Sequence, residues 1–113
     1  MLYELRDYEV FPGRAQAIVD RFTNITLNYF KKHGIKPVVF LEPVIGVSGH
    51  LVYLVEWESL AHRERCWTAF QSDPGWIEDR AETEKNGPIL TRFSSTIFQE
   101  QPKIMARMKE LGF

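Results

Sequence analysis

The chain has 113 residues, 44% of them hydrophobic, with 14 basic against 15 acidic side chains. That length makes one domain, which buries roughly two-thirds of the surface of its unfolded chain. The balanced charge leaves no basic field for a nucleic-acid backbone, and no apolar run approaches the ~18 residues of a membrane span.

The opening stretch LYELRDYEVFPG reads as a strand closed by Pro12 and Gly13. Alternation puts Tyr3 and Leu5 on one face and Glu4, Arg6 and Tyr8 on the other. Glu4, Arg6 and Asp7 also interrupt any leader-like apolar core. The period then changes. Ala15, Ile18, Phe22, Ile25 and Tyr29 recur every three or four residues, predicting a helix from about Arg14 to His33. Lys31, Lys32 and His33 suit its negative end, and Gly34 is a natural stop.

IKPVVFLEPVIG and HLVYLVEW, separated by GVSG, predict an antiparallel hairpin with a short loop. Pro37 and Pro43 place the first of these strands at a sheet edge. Ser59 is a candidate N-cap for a helix through SLAHRERCWTAFQS, and Asp73-Pro74 restarts a second helical segment. ILTRFSSTIFQE reads as the last strand. PKIMARMKELGF follows as an amphipathic tail with Ile104, Met105, Met108 and Leu111 on one side.

Strand, helix, strand, strand, helix, strand is an α+β, ferredoxin-like βαββαβ order. Right-handed crossovers put both helices on one face of a four-stranded antiparallel sheet. The other face is left open. The reading assigns to it Glu4, Arg6 and Tyr8 from the first strand and Tyr53, Val55 and Trp57 from HLVYLVEW, with Val52 and Leu54 turned to the helices. An open face carrying such residues is uncommon on a monomer, so a homodimer closed through that face by a twofold axis is expected.

Two segments carry a resemblance. YELRDYEVFPGRAQAIVDRF is similar to the start of NIPSNAP family members, which begin with a Tyr-Glu-Leu-Arg-x-Tyr strand followed by Pro-Gly. VEWESLAHRERCWTAFQSDPGW is similar to their second half, with an acidic-aromatic strand end, Ser-Leu, Arg, then Asp-Pro and Trp. The resemblance spans residues 2 to about 100, giving a domain over 1–100 and a tail helix over 101–113. It implies the dimeric α/β barrel fold, whose superfamily includes cofactor-free oxygenases, lactone isomerases, haem-degrading enzymes and proteins without known activity.

Candidate ligand-binding residues are Arg6, Tyr8, Glu4, Tyr53, Trp57 and His50. Arg6 would orient an anion or carbonyl and Tyr8 would donate a hydrogen bond, while the structural alternative is a buried ion pair that fixes an interface. His50 beside the hairpin loop would serve as a base at a cavity mouth. Trp57, Trp67, Trp76 and Phe70 would line a pocket for a flat ligand or simply form core. HRER reads as a solvated helix face. His62 and Cys66 lie one turn apart, but two ligands make no metal site. No phosphate loop, dinucleotide fingerprint or nucleophile elbow is present. The expectation is a small cytoplasmic protein without cofactor or metal, consistent with its single cysteine, Cys66. It would be either a small-molecule oxygenase- or isomerase-like enzyme or ligand binder, or a non-catalytic homodimeric interaction module.

Overall fold

A computed structural model describes all 113 residues. The elements run β1 (Leu2–Val10), α1 (Ala15–Arg21), a π turn (Phe22–Thr26), α2 (Leu27–Lys32), β2 (Lys36–Leu41), β3 (His50–Trp57), α3 (Leu60–Gln71), α4 (Pro74–Thr83), β4 (Leu90–Gln99) and α5 (Pro102–Glu110). The strands form one antiparallel sheet in the order β2-β3-β1-β4, the ferredoxin-like arrangement with the first strand central. β2 lies at an edge, where Pro37 costs no ladder hydrogen bond. It stops at Leu41, so the connection to β3 spans residues 42–49, longer than the four residues expected. Pro43 cannot extend the strand, and Val44 and Ile45 project from the loop, 96% exposed.

Side chains begin both covering helices of the second half. The Ser59 hydroxyl accepts the His62 N–H at 3.0 Å, and an Asp73 oxygen accepts the Gly75 N–H at 2.9 Å, with Pro74 in the first turn. The other Asp73 oxygen takes Lys32 at 2.8 Å and His33 at 2.7 Å. These two partners hold the carboxyl well below the usual carboxylate range. His33 therefore ties the end of α2 to the start of α4 in addition to capping its own helix.

The first helical region departs from the expected spacing. Its buried positions are Ile18, Arg21, Phe22, Thr26 and Phe30, whereas Ile25 and Tyr29 are only half-buried. A strict four-residue repeat drifts round a straight α-helix by about 40° per step. The π turn widens the coil and returns Thr26 and Phe30 to the side occupied by Phe22. Phe30 is consequently central to the core, with its ring 5.2 Å from Phe70 and 6.2 Å from Phe22.

The faces of the sheet are the reverse of those expected. Glu4, Arg6, Tyr8, Tyr53, Val55 and Trp57 all point under the helices and are buried. Val52 and Leu54 lie on the open face with Tyr3 and Leu5, joined across the register by Thr96 and Phe98. The charged residues of β1 can lie inside because they are hydrogen-bonded to one another, which removes most of the penalty for burying them. The tail forms α5, begun by the Gln101 side chain accepting the Ile104 N–H. None of its residues is buried, and Ile104, Met105, Met108 and Leu111 are exposed.

Phe30→Ala is expected to cost about 3–5 kcal/mol, as a large aromatic removed from a close-packed core. Val44→Ala in the exposed loop should stay within about 0.5 kcal/mol. Denaturant unfolding of the two variants measures the difference, and equal effects would contradict the helix phase set by the π turn.

Candidate functional site

Glu4, the third residue of β1, is fully buried. Its carboxylate accepts from Arg6 at 3.0 Å, from the Trp57 indole at 3.0 Å, from Arg63 of α3 at 2.7 and 3.0 Å, and from the Ser95 hydroxyl of β4. Burial alone would push the carboxyl up. The hydrogen bonds from Arg63, Ser95 and Trp57 and the Arg6 charge overcome it, bringing the group from an ordinary 4.5 down to about 2.

Arg6, two residues along, uses its other donors differently. Nε donates to the Tyr53 oxygen at 2.8 Å and Nη2 to the Tyr8 oxygen at 3.3 Å. Its guanidinium lies 4.4 Å from the Trp67 ring centroid and 5.1 Å from that of Phe93. The two phenol oxygens are 2.8 Å apart, and accounting for their protons gives them a direction. A phenol has one proton to donate. Tyr53 is fully buried, and its oxygen already accepts from Arg6, so its own proton goes to Tyr8, the only acceptor in reach. Burial raises the Tyr53 pKa and keeps it a neutral phenol. The Tyr8 oxygen then accepts twice, and its proton is left for a partner outside the cluster. The opposite orientation would orphan a fully buried donor, at a cost of about 1–3 kcal/mol.

Tyr8 and Arg6 border a cavity of about 640 Å³ between the sheet and the helices. Phe22, Phe30, Trp67, Phe70, Trp76 and Phe93 supply its aromatic wall, and β4 and the segment before it close one side. At another part of the wall Arg21 and Arg80 flank Glu84, each guanidinium 3.6 Å from a carboxylate oxygen. That exceeds hydrogen-bond length. Arg21 is 5% exposed. Burial lowers its pKa, with Glu84 opposing the shift and Arg80 adding to it.

Family comparison agrees with this architecture. The NIPSNAP family model matches residues 3–102. The chain belongs to the NIPSNAP family. Among solved structures, a NIPSNAP family protein of unknown function from Agrobacterium tumefaciens is 20% identical, with 88% of this chain and 87% of that chain aligned at a TM-score of 0.78. A NIPSNAP-like domain protein from Burkholderia xenovorans is 21% identical over 88% of this chain and 84% of that one, at 0.79. A candidate antibiotic biosynthesis monooxygenase from Nitrosomonas europaea shares the fold at 10% identity, with 88% and 98% covered and a TM-score of 0.61. No curated protein sequence matches the chain.

Of the six residues singled out in this NIPSNAP sequence, two reach the cavity wall, Arg6 and Tyr8. Glu4, Tyr53 and Trp57 stand behind them as supports. His50 is elsewhere: its Nδ1 lies 2.7 Å from Asp7 on the open face of the sheet, so it is not a base at this cavity. The Glu4 network draws in Arg63, which the HRER pattern assigns to solvent. Arg21, Thr26 and Glu84 also line or adjoin the cavity without a sequence signal beyond their charge or polarity. His62 Nδ1 accepts the Glu58 N–H. No helix is long and apolar enough to cross a membrane.

The Glu4 shift has a definite sign. Its folded-state pKa of about 2 lies below the ordinary 4.5, so its stabilisation is complete above pH 4.5 and is lost as pH falls toward 2, on the order of 3 kcal/mol. Glu4→Gln should be less stable than the parent at pH 7 and should show a flatter fall in stability across that acid window. Chemical denaturation at a series of pH values tests it.

Proposed function

We propose that this NIPSNAP protein binds a planar small molecule in the cavity between sheet and helices, with Tyr8 and Arg6 polarising a carbonyl or enolate oxygen of that ligand. The observation that carries the reading is the unclaimed Tyr8 proton at an aromatic-walled cavity, beside a guanidinium whose remaining donors have nowhere else to go. Two such donors aimed at one oxygen stabilise negative charge as it develops there, and they do so in a site shielded from water. That is the assistance a cofactor-free oxygenase or isomerase gives a substrate that can form an enolate. The shared fold of the Nitrosomonas protein supports this kind of chemistry by analogy only.

A second reading, binding without turnover, is favoured by one observation. Glu84 is the only carboxylate on the wall and is flanked by two guanidiniums, so the cavity holds no free base. Tyr8→Phe separates ligand recognition from bystander structure. It should weaken binding of planar carbonyl compounds, measured by calorimetry, about tenfold, which corresponds to about 1.4 kcal/mol. A parent protein that binds none of a broad set of planar aromatic compounds would overturn the cavity reading.

The working unit we propose is a cytoplasmic homodimer joined through the open sheet face. The support is the apolar character of that face, where Leu5, Val52, Leu54 and Phe98 have no helix to cover them. The exposed stripe of α5 would dock on the partner, because a nine-residue helix gains little stability alone. Light scattering coupled to gel filtration should give twice the chain mass for the parent. Leu54→Asp should yield monomer or unfolded chain, because a carboxylate buried without a partner costs several kcal/mol.

A further inference from the structure

The π turn places a second set of polar groups on the cavity wall, and the protein leaves their hydrogen-bonding capacity largely unfilled. Arg21 and Thr26 are five residues apart, about 140° round a straight α-helix, yet both line the cavity. Widening the coil between Phe22 and Thr26 brings them to the same side, a role in which π turns recur at functional sites. Thr26 is 3% exposed, and its hydroxyl has no hydrogen-bond partner. Such a group in a folded interior calls for an explanation. Arg21, equally buried, makes its contacts through Nη1 alone, at 3.4 Å to Thr83 and 3.6 Å to Glu84. Nε and Nη2 make no hydrogen bond within the protein.

Charge points the same way. Two guanidiniums, Arg21 and Arg80, face a single carboxylate, Glu84, at distances too long for hydrogen bonds. This wall therefore keeps a surplus positive charge with unfilled donors, in a cavity whose remaining surface is largely aromatic. A neutral ligand would leave that surplus uncompensated, whereas a planar carboxylate would take it in the geometry a guanidinium fork prefers.

We propose that the ligand is an aromatic carboxylate, its acid group held by Arg21 and Arg80 with the Thr26 hydroxyl donating to it, and its opposite end presenting an oxygen to Tyr8 and Arg6. The inference rests on the cavity reading above and adds the class of ligand and the residues that select it.

The test compares two probes of the same shape, 6-hydroxy-2-naphthoate and the neutral 6-hydroxy-2-naphthamide, by isothermal titration calorimetry at pH 7. The parent should bind the acid at least tenfold more tightly. Arg21→Gln should remove that preference while leaving the affinity for the amide nearly unchanged. Thr26→Val should weaken the acid severalfold. Arg80→Gln, at an exposed position, should reduce the preference even if Arg21→Gln fails to fold. An amide that binds as tightly as the acid, or a preference that survives both arginine variants, overturns the aromatic-carboxylate inference and leaves the cavity reading standing. Failure of both probes to bind the parent at millimolar concentration overturns the inference, and the cavity reading falls only if the broader set of planar compounds also fails.

Discussion

The buried carboxylate of Glu4 is the constraint from which the rest of the architecture follows. An isolated carboxylate at zero exposure would cost several kcal/mol and would protonate instead. Here it accepts from four residues: Arg6 on β1, Trp57 on β3, Arg63 on α3 and Ser95 on β4. Three strands and a helix thus meet at one group. Satisfying Glu4 fixes Arg6, Arg6 fixes the oxygens of Tyr53 and Tyr8, and Tyr53 in turn stacks on Phe40 of β2 at 4.7 Å. The network reaches every strand of the sheet. Removing any one donor leaves a charge under-compensated at the centre of the fold, where such losses are largest.

Much of the fold was legible because local signals agreed with global ones. Ser59 and Asp73 begin helices as their side chains dictate, Gly34 ends one with φ at 72°, a conformation costly for other residues, and the element order alone selects the ferredoxin-like topology. The strand faces were not legible, and the reason is physical. Alternation in β1 separates Glu4, Arg6 and Tyr8 from Tyr3 and Leu5 correctly, but it cannot say which set lies inside. General desolvation costs favour placing the charges outside. Only their mutual pairing reverses that, and most of the partners, Arg63, Ser95 and Trp57, lie more than fifty residues away in sequence. The π turn was hidden for a related reason: Thr26, the residue whose burial reveals it, is polar and breaks the apolar stripe at the position where the helix changes pitch. His50 lies apart from the cavity because register pairs Glu9 with it and sets it beside Asp7 on the opposite face.

The two layers of the sheet have exchanged their usual characters. The helices cover the face that holds the charges, phenols and indole, while the aliphatic Leu5, Val52 and Leu54 lie on the face that no helix covers. Apolar residues under the helices could fill the same space, and replacing a buried ion pair with apolar packing is often neutral or stabilising. Stability therefore does not by itself require Glu4 and Arg6 to be where they are. A cavity with directed donors does require them. A guanidinium presented to a cavity must be held in one orientation by groups that do not themselves fill the space, and Glu4, Tyr53 and Trp57 meet that condition from behind the wall. The same argument applies across the cavity, where Glu84 flanked by Arg21 and Arg80 restrains two guanidiniums without saturating them. Each cluster sets one carboxylate against two arginines, Glu4 with Arg6 and Arg63, so each retains one positive charge beyond what its carboxylate neutralises. Two such clusters bordering one aromatic space give the interior a polarity that packing alone would not produce.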